Sequence, residues 1–275
     1  MRRLFPFVLV AATIATLSFL VVPILAIFLR VSPSTLVAAL GSSVARDALV
    51  VTLETTLVAQ LLIIALGTPT AYLLATRRFR GRVVAVTLVE LPLVLPPAVA
   101  GIGLLATFGR LGLLGSSLSA LGIEIAFTKV AVVLAVMFVA GPFYIRTAIA
   151  AFADVDPTLS EAARTLGSGP WRTFRRVALP LATAGLGAGA ALSFARGIGE
   201  FGATIMFAGS LQGVTQTLSL AVYEQFDVDF DTALAIGAEL VVVSAAVLIA
   251  VKVVPPWRRS TSTFLRLSAA TTGSS

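Results

Sequence analysis

The sequence predicts an all-α, polytopic membrane protein with about six membrane-spanning helices, and three observations carry that prediction. Of its 275 residues 58% are hydrophobic and only 12% are charged. A water-soluble domain carries about a quarter charged residues, so this chain has too little polar surface to cover a globule, and lipid must serve as its outer solvent. The apolar residues gather in charge-poor runs of roughly 20 residues, the length at which a helix crosses about 30 Å of hydrocarbon. The Lys and Arg residues between these runs concentrate in alternate connections, the asymmetry that orients spans in a membrane.

The spans follow in order. The first, residues 4–29, lies between Arg3 and Arg30. It is longer than the apolar region of a secretory signal, and Arg2 and Arg3 hold its start inside. The second covers residues 55–76. The third, 83–108, contains Glu90, and the fourth, 130–152, has Arg146 near its end. The fifth, 180–200, starts at Pro180 and carries Arg196 near its outer end. The sixth, 232–254, carries Glu239 and stops at Pro255-Pro256. Residues 1–259 thus form one transmembrane domain, and the Ser- and Thr-rich stretch 260–275 reads as a disordered cytoplasmic tail.

With both termini inside, 15 of the 20 basic residues are cytoplasmic, and Arg30, Arg46, Arg110, Lys129 and Arg196 form the outer set. This asymmetry decides the reading of residues 201–223, which are uncharged between Glu200 and Glu224 and long enough to cross. A seventh crossing would put the arginine-bearing tail outside. The Gly, Thr and Gln residues of this stretch suit a broken segment lining a cavity better than a lipid-facing helix. It is read as a broken outer extension of the fifth helix followed by an external loop.

Composition also narrows the chemistry. Cysteine is absent, which removes disulfides and thiolate metal sites. Histidine is absent too, removing the commonest general base and metal ligand, so a membrane-embedded enzyme is disfavoured. The net charge of +7 would suggest nucleic acid in a soluble protein; here it reflects arginines anchoring the inner face, and no nucleic-acid partner is expected. Asp227, Asp229 and Asp231 are spaced like part of a calcium loop, but the Gly and distal Glu of such a loop are missing, and no metal site is expected. Glu90 and Glu239 are intramembrane acids, functional candidates by default, with capping or contact with a neighbouring helix as the plainer role. Arg196 and Glu200 stand four apart, so their side chains can pair on a helix, either as a neutralising structural pair or as a gate latch.

The connection between the fourth and fifth spans holds the most informative motif. It reads Asp154-Val155-Asp156-Pro157-Thr158-Leu159-Ser160-Glu161-Ala162-Ala163-Arg164-Thr165-Leu166-Gly167. These residues write a short helix over 157–167. Either Asp156 caps it with Pro157 in the first position, or Thr158 and Glu161 form a capping box. Gly167 is the natural left-handed stop. Ala162 and Ala163 leave one face without bulk, so another protein surface can approach. A basic stretch, Trp171-Arg172-Thr173-Phe174-Arg175-Arg176, leads to Leu179-Pro180.

Glu161-Ala162-Ala163, Gly167 and Leu179-Pro180 together resemble the coupling-helix signature of permease subunits of bacterial ABC importers. The resemblance implies the fold of a type I importer permease, and a helix at 157–167 that docks on an ATP-hydrolysing subunit. The chain has no Gly-rich loop ending in Gly-Lys-Ser/Thr, so it cannot hold ATP in the P-loop manner. A separate ATPase, using ATP and Mg, is implied, with no cofactor bound by this chain.

Two further stretches are similar to molybdate and tungstate permeases. One is Leu91-Pro92-Leu93-Val94-Leu95-Pro96-Pro97 with Gly101 and Gly103, whose prolines and glycines break the backbone ladder within the membrane. The other runs from Gly199-Glu200-Phe201-Gly202-Ala203-Thr204 through Gly209 to Thr215-Gln216-Thr217-Leu218. Sulfate permeases share its Gly-Glu-Phe-Gly-Ala part, while Thr204, Phe207 and Tyr223 favour the molybdate branch. The resemblance covers about residues 49–254. It implies import of a tetrahedral oxyanion, molybdate or tungstate, with sulfate or thiosulfate as the alternative. A homodimer in the bacterial inner membrane, cytoplasmic ATPase subunits and an extracytoplasmic oxyanion-binding protein are implied with it. Arg196, Glu200, Phe201, Gly202, Thr204, Thr215 and Thr217 are the candidate gate and pathway residues. Their hydroxyls and backbone N–H groups can supply the weak donors a dianion needs in order to pass and be released. An ion-coupled carrier using Glu90, Glu200 and Glu239 is the competing class, but such a carrier has no need of the 157–167 helix.

Overall fold

A computed structural model describes residues 4–253. The tail at 260–275, and with it Arg258, Arg259 and Arg266, lies outside the described residues, as do Arg2 and Arg3. Among the described residues the regular structure is helical throughout. In order the elements are α1 Leu4–Arg30, α2 Pro33–Gly41, α3 Ser43–Thr76, α4 Arg82–Val94, α5 Pro97–Phe108, α6 Gly115–Ala120, α7 Lys129–Ala153 and α8 Pro157–Thr165. Then follow α9 Pro170–Thr173, a π-helical turn Phe174–Ala178, α10 Leu179–Ile198, α11 Gly202–Ala208, α12 Leu218–Phe226 and α13 Phe230–Val253. Five stretches are long and apolar enough to cross a membrane: Phe5–Arg30, Ser43–Thr76, Lys129–Ala153, Pro170–Ile198 and Phe230–Ala250. The pair α4 and α5 makes a sixth if the two are counted as one span.

That pair departs from a straight third crossing over 83–108. The two helices are bent by 115° at Leu95-Pro96. Pro96 and Pro97 both lack the N–H that would continue the ladder, and a residue before proline is driven into extended backbone; Leu95 sits at φ −74°, ψ 134°. Helices also begin earlier than the apolar runs suggest. α3 opens at Ser43, and the fifth apolar stretch is helical from Pro170 rather than from 180. Residues 201–223 form no single long helix. Gly199 ends α10, and α11 and α12 are separated by a turn bearing Gly209 and Gly213 at φ +65° and +73°.

The chain divides into two compact units. The first comprises Met1–Thr52 with Ser210–Ser244. Every side chain of α1 from Phe5 to Ala26 is exposed within this chain, so the helix packs none of that apolar length on its own unit. A small core joins Ala45, Ala48, Leu218, Ala221 and Ile236, and a second joins Val31, Ala39 and Ala235. Thr52 fastens the first of these: its Oγ1 accepts the Leu218 N–H at 2.8 Å and donates to the Ala48 carbonyl at 2.7 Å.

The second unit, Leu53–Gly209 with Ala245–Ser275, is built around α7. Val132, Val136, Val139, Tyr144 and Phe152 on this helix are buried with Ile63, Ala100, Leu104 and Phe207. α10 lies against α7 along a stripe of small residues, Gly185, Gly189, Ser193 and Gly197, one per helical turn. A Cβ on Gly185 would fall 2.4 Å from the Ala151 Cβ, and one on Gly189 would fall 3.2 Å from the Tyr144 carbonyl oxygen. A Cβ on Gly197 would fall 2.9 Å from Val136. Ser193 Oγ donates to the Ala140 carbonyl at 2.9 Å. In lipid there is little hydrophobic drive between helices, so close backbone approach and such interhelical hydrogen bonds hold them together.

Candidate functional site

Two places carry the candidate residues, one around α8 and one at the end of α10. At α8 the sequence left two N-caps open, and the structure selects Asp156. Its Oδ1 accepts the Thr158 N–H at 2.9 Å, with Pro157 in the first helical position. The hydrogen bonds from Thr158, chiefly its backbone N–H, hold the Asp156 carboxyl below the usual carboxylate range. At the other end the Gly167 N–H bonds the Arg164 carbonyl at 2.9 Å and the Ser168 N–H bonds the Ala163 carbonyl at 3.0 Å. This is the Schellman arrangement, and it requires the φ of +83° that Gly167 adopts. Glu161 and Ala162 are exposed and Ala163 is half-buried. Leu166 is 87% exposed and Trp171 69%, so apolar side chains flank a short helix that has little bulk of its own.

Behind α8 lies a cavity of about 300 Å³ lined by Arg78, Val155, Ser160, Glu161, Arg164 and Ala178, among others. Its inner wall is aromatic. The Tyr72 ring lies 5.3 Å from Phe152 and 4.7 Å from Phe174, centroid to centroid. Phe174 opens the π-turn that joins α9 to α10. α9 and α10 are thus joined by one irregular helical turn, the kind of feature that recurs at functional sites.

At the far end of α10, Arg196 and Glu200 do pair, Nη2 to Oε2 at 2.6 Å. The Glu200 side chain is 1% exposed and that of Arg196 28%. Glu200 does a second thing that the i, i+4 spacing did not indicate: its Oε1 accepts the Ala203 N–H at 2.7 Å, so the carboxylate caps the start of α11. α11 in turn packs backbone to backbone on α5. A Cβ on Gly202 would lie 2.9 Å from Pro97, and one on Gly101 would lie 2.5 Å from the Ala203 carbonyl oxygen. Phe201 is half-buried, while Thr204 is fully buried with its Oγ1 lacking a hydrogen-bond partner among the described residues. Pro97 and Ala203 stand in the two stretches quoted from the sequence but were not among its candidate gate and pathway residues; the signal was the glycine each packs against.

Thr215 and Thr217 belong to the first unit. Thr215 Oγ1 accepts the Leu211 N–H at 3.0 Å, closing a tight turn, and Thr217 is the N-cap residue of α12. Gln216 Nε2 bonds Glu224. These contacts give the three residues a local role within that unit. Glu90 contacts Arg146 at 3.5 Å, joining α4 to α7, the neighbouring-helix role anticipated for it. Glu239 lies on α13 with Oε2 buried and without a hydrogen-bond partner among the described residues. Asp229 opens α13, its Oδ1 accepting the N–H groups of Asp231 and Thr232 and its Oδ2 taking the Thr232 hydroxyl.

Residues 63–260 match a family described as the binding-protein-dependent transport system inner membrane component. The chain belongs to this family. It is accordingly a permease, a multi-pass transport subunit.

Among relatives of this family, the chain is 44% identical over 240 residues to the molybdenum transport system permease protein ModB of Mycobacterium tuberculosis, covering 86% of this chain and 90% of that one. It is 40% identical to the protein of the same description from Escherichia coli over 64% of this chain and 78% of that one. It is also 34% identical to a probable sulfate transport system permease protein of Nephroselmis olivacea, over 80% and 78%. A crystal structure of a bacterial ABC transporter involved in import of the acidic polysaccharide alginate superposes with a TM-score of 0.73. That match has 17% identity and covers 90% of this chain and 93% of that one. The permease fold is therefore that of solved importers.

Proposed function

We propose that this permease carries a tetrahedral oxyanion, molybdate or tungstate, into the cytoplasm of a bacterium, driven by ATP hydrolysed on a separate chain. The observation that carries the proposal is the 44% identity to a molybdenum permease across 86% of the chain. The pathway stretch adds support. Thr204, which favours the molybdate branch, stands on α11 beside Glu200 and Gly202 of the part shared with sulfate permeases, where the end of α10, α11 and α5 meet.

In this reading α8 is the docking helix. Its capped ends fix its length and direction, and Glu161, Ala162 and the flanking Leu166 face outward for an ATPase subunit, which would use ATP and Mg. Two copies of the permease, two ATPase subunits and an extracytoplasmic binding protein would complete the importer, with both permease termini inside. Closure of the ATPase dimer would move α8, and the Phe174–Ala178 turn would pass that movement to α10 and so to Arg196, Glu200 and α11 at its other end. Nothing in this cycle needs covalent chemistry from the permease; its own residues position, open and close.

Sulfate is the second reading, favoured by the 34% identity to a sulfate permease. The test is reconstitution of the complex in vesicles with its binding protein loaded in turn with molybdate, tungstate and sulfate. Molybdate or tungstate should stimulate ATP hydrolysis and uptake. Stimulation by sulfate alone would overturn the molybdate assignment, and uptake without any ATP dependence would overturn the energy source.

A further inference from the structure

A second cavity of about 370 Å³ lies apart from α8, on another side of Tyr72, and neither the docking helix nor the α10–α11 corner uses it. One wall is the end of α3 with Arg77 directly after it, presenting Pro69, Leu73, Thr76 and Arg77; the other is Pro170, Trp171 and Phe174, and Tyr72 also lines the cavity. Pro69, Leu73 and Arg77 stand at successive four-residue steps, so they form one ridge about 12 Å long. The ridge runs from a guanidinium just past the helix end into predominantly apolar surface. Trp171 is 69% exposed on the opposite wall, and tryptophan is a residue type enriched at membrane–water boundaries. Arg77 is the basic residue of this lining; Arg78 lines the cavity behind α8 instead.

A groove that is charged at one end and apolar along its length matches an amphiphile, not a soluble anion. We infer that it is a binding site for an anionic phospholipid, the phosphate on Arg77 and one acyl chain lying along Leu73 and Pro69 against the Trp171 and Phe174 rings. The site requires only that Arg77 end a membrane span, and it is independent of which anion the permease carries. Charge complementarity selects the headgroup: the Arg77 guanidinium at the end of the groove attracts anionic lipids more than zwitterionic ones. Bound there, the lipid would brace the α3 end against α9 and the π-turn.

The chain has two tryptophans, Trp171 and Trp257, so Trp171 is its own reporter. The full transporter complex with Trp257→Phe is placed in vesicles containing phosphatidylglycerol or phosphatidylcholine brominated on its acyl chains, and the signal of a further Trp171→Phe variant is subtracted. Half-quenching should need about fivefold less brominated phosphatidylglycerol than phosphatidylcholine. Arg77→Gln should abolish that preference, and Leu73→Phe, which fills the groove, should reduce quenching by both lipids. Equal quenching by the two headgroups overturns the inference. So does complete shielding of Trp171 in the assembled complex, which would mean that a protein surface covers the groove. Loss of the preference on adding inorganic phosphate at matched ionic strength would assign the arginine to a free anion and overturn it equally.

Discussion

The Glu200 carboxylate divides its two oxygens between Arg196, at 2.6 Å from Nη2, and the Ala203 N–H, at 2.7 Å. The i, i+4 pair alone would let a charge-exchanged variant recover the native state, since opposite charges would still meet one turn apart. The second bond changes that outcome. Arginine has donors and no acceptor, and it would set a positive charge at the start of α11, against the helix dipole. Arg196→Gln should destabilise by about 3 kcal/mol, the low end for breaking a buried pair because Arg196 is partly exposed. Glu200→Gln keeps an acceptor for Ala203 and should cost less. The double variant Arg196→Glu with Glu200→Arg should stay as impaired as the worse single, in thermal unfolding and in uptake. Full recovery of both quantities would show that the α11 cap contributes nothing.

Gly167 at φ +83° has no atom within 4 Å of an added Cβ, so a side chain there meets strain and no clash. Gly167→Val should raise the energy of the α8 end by about 1–3 kcal/mol. Glu161→Lys should reverse the charge on the exposed docking face while leaving the helix itself intact, since residue 161 lies beyond the first turn of α8. Both variants should insert in the membrane normally, while stimulated ATP hydrolysis and uptake fall together by about tenfold. Wild-type rates in both would remove α8 from the coupling role.

Gly101 and Gly103 provide a matched pair on α5. An added Cβ at Gly101 meets the Ala203 backbone at 2.5 Å, whereas one at Gly103 meets nothing within 4 Å. Gly101→Ala should therefore destabilise by about 1–3 kcal/mol through overpacking, and Gly103→Ala should be neutral or gain up to about 1 kcal/mol from helix propensity. Thermal unfolding of the purified protein compares them directly. Equal effects would mean that α5 and α11 are not in close register.

Asp156 gives α8 an acid sensitivity of defined sign. Its folded pKa is lowered by the Thr158 hydrogen bonds, so its contribution is complete above the unfolded carboxylate value. That contribution is lost as pH falls through the folded one. Amide exchange or limited proteolysis across α8 should be flat near neutral pH and should rise only in acid. Asp156→Asn, which keeps the cap acceptor without the charge, should abolish the rise.

The basic asymmetry predicts a topology for the connections. Reporter tags after Arg80 and at Gly169 should be cytoplasmic and one at Asp229 external, by protease protection or cysteine labelling. A cytoplasmic Asp229 would overturn the placement of the stretch after α10.

Composition and the spacing of charges determined that this chain spans a membrane and where its apolar stretches lie, because hydrocarbon enforces a length and excludes charge regardless of how helices pack. The ends of α8 were equally legible: an Asp-Pro start and a Gly stop act through bonds only a few residues apart. The four-residue stripe of α10 was also present in the sequence, but its partner face on α7 was not, since packing complementarity is a property of two surfaces. Tertiary structure alone decided the rest. It turned the third apolar stretch through 115° at Leu95-Pro96, since prolines mark a break without setting its angle. It gave Glu200 a second partner on α11, and it assigned Thr215 and Thr217 to turn-making within a separate unit. In each case the outcome depended on which backbone groups were left without partners nearby, and that is fixed only once the helices have packed.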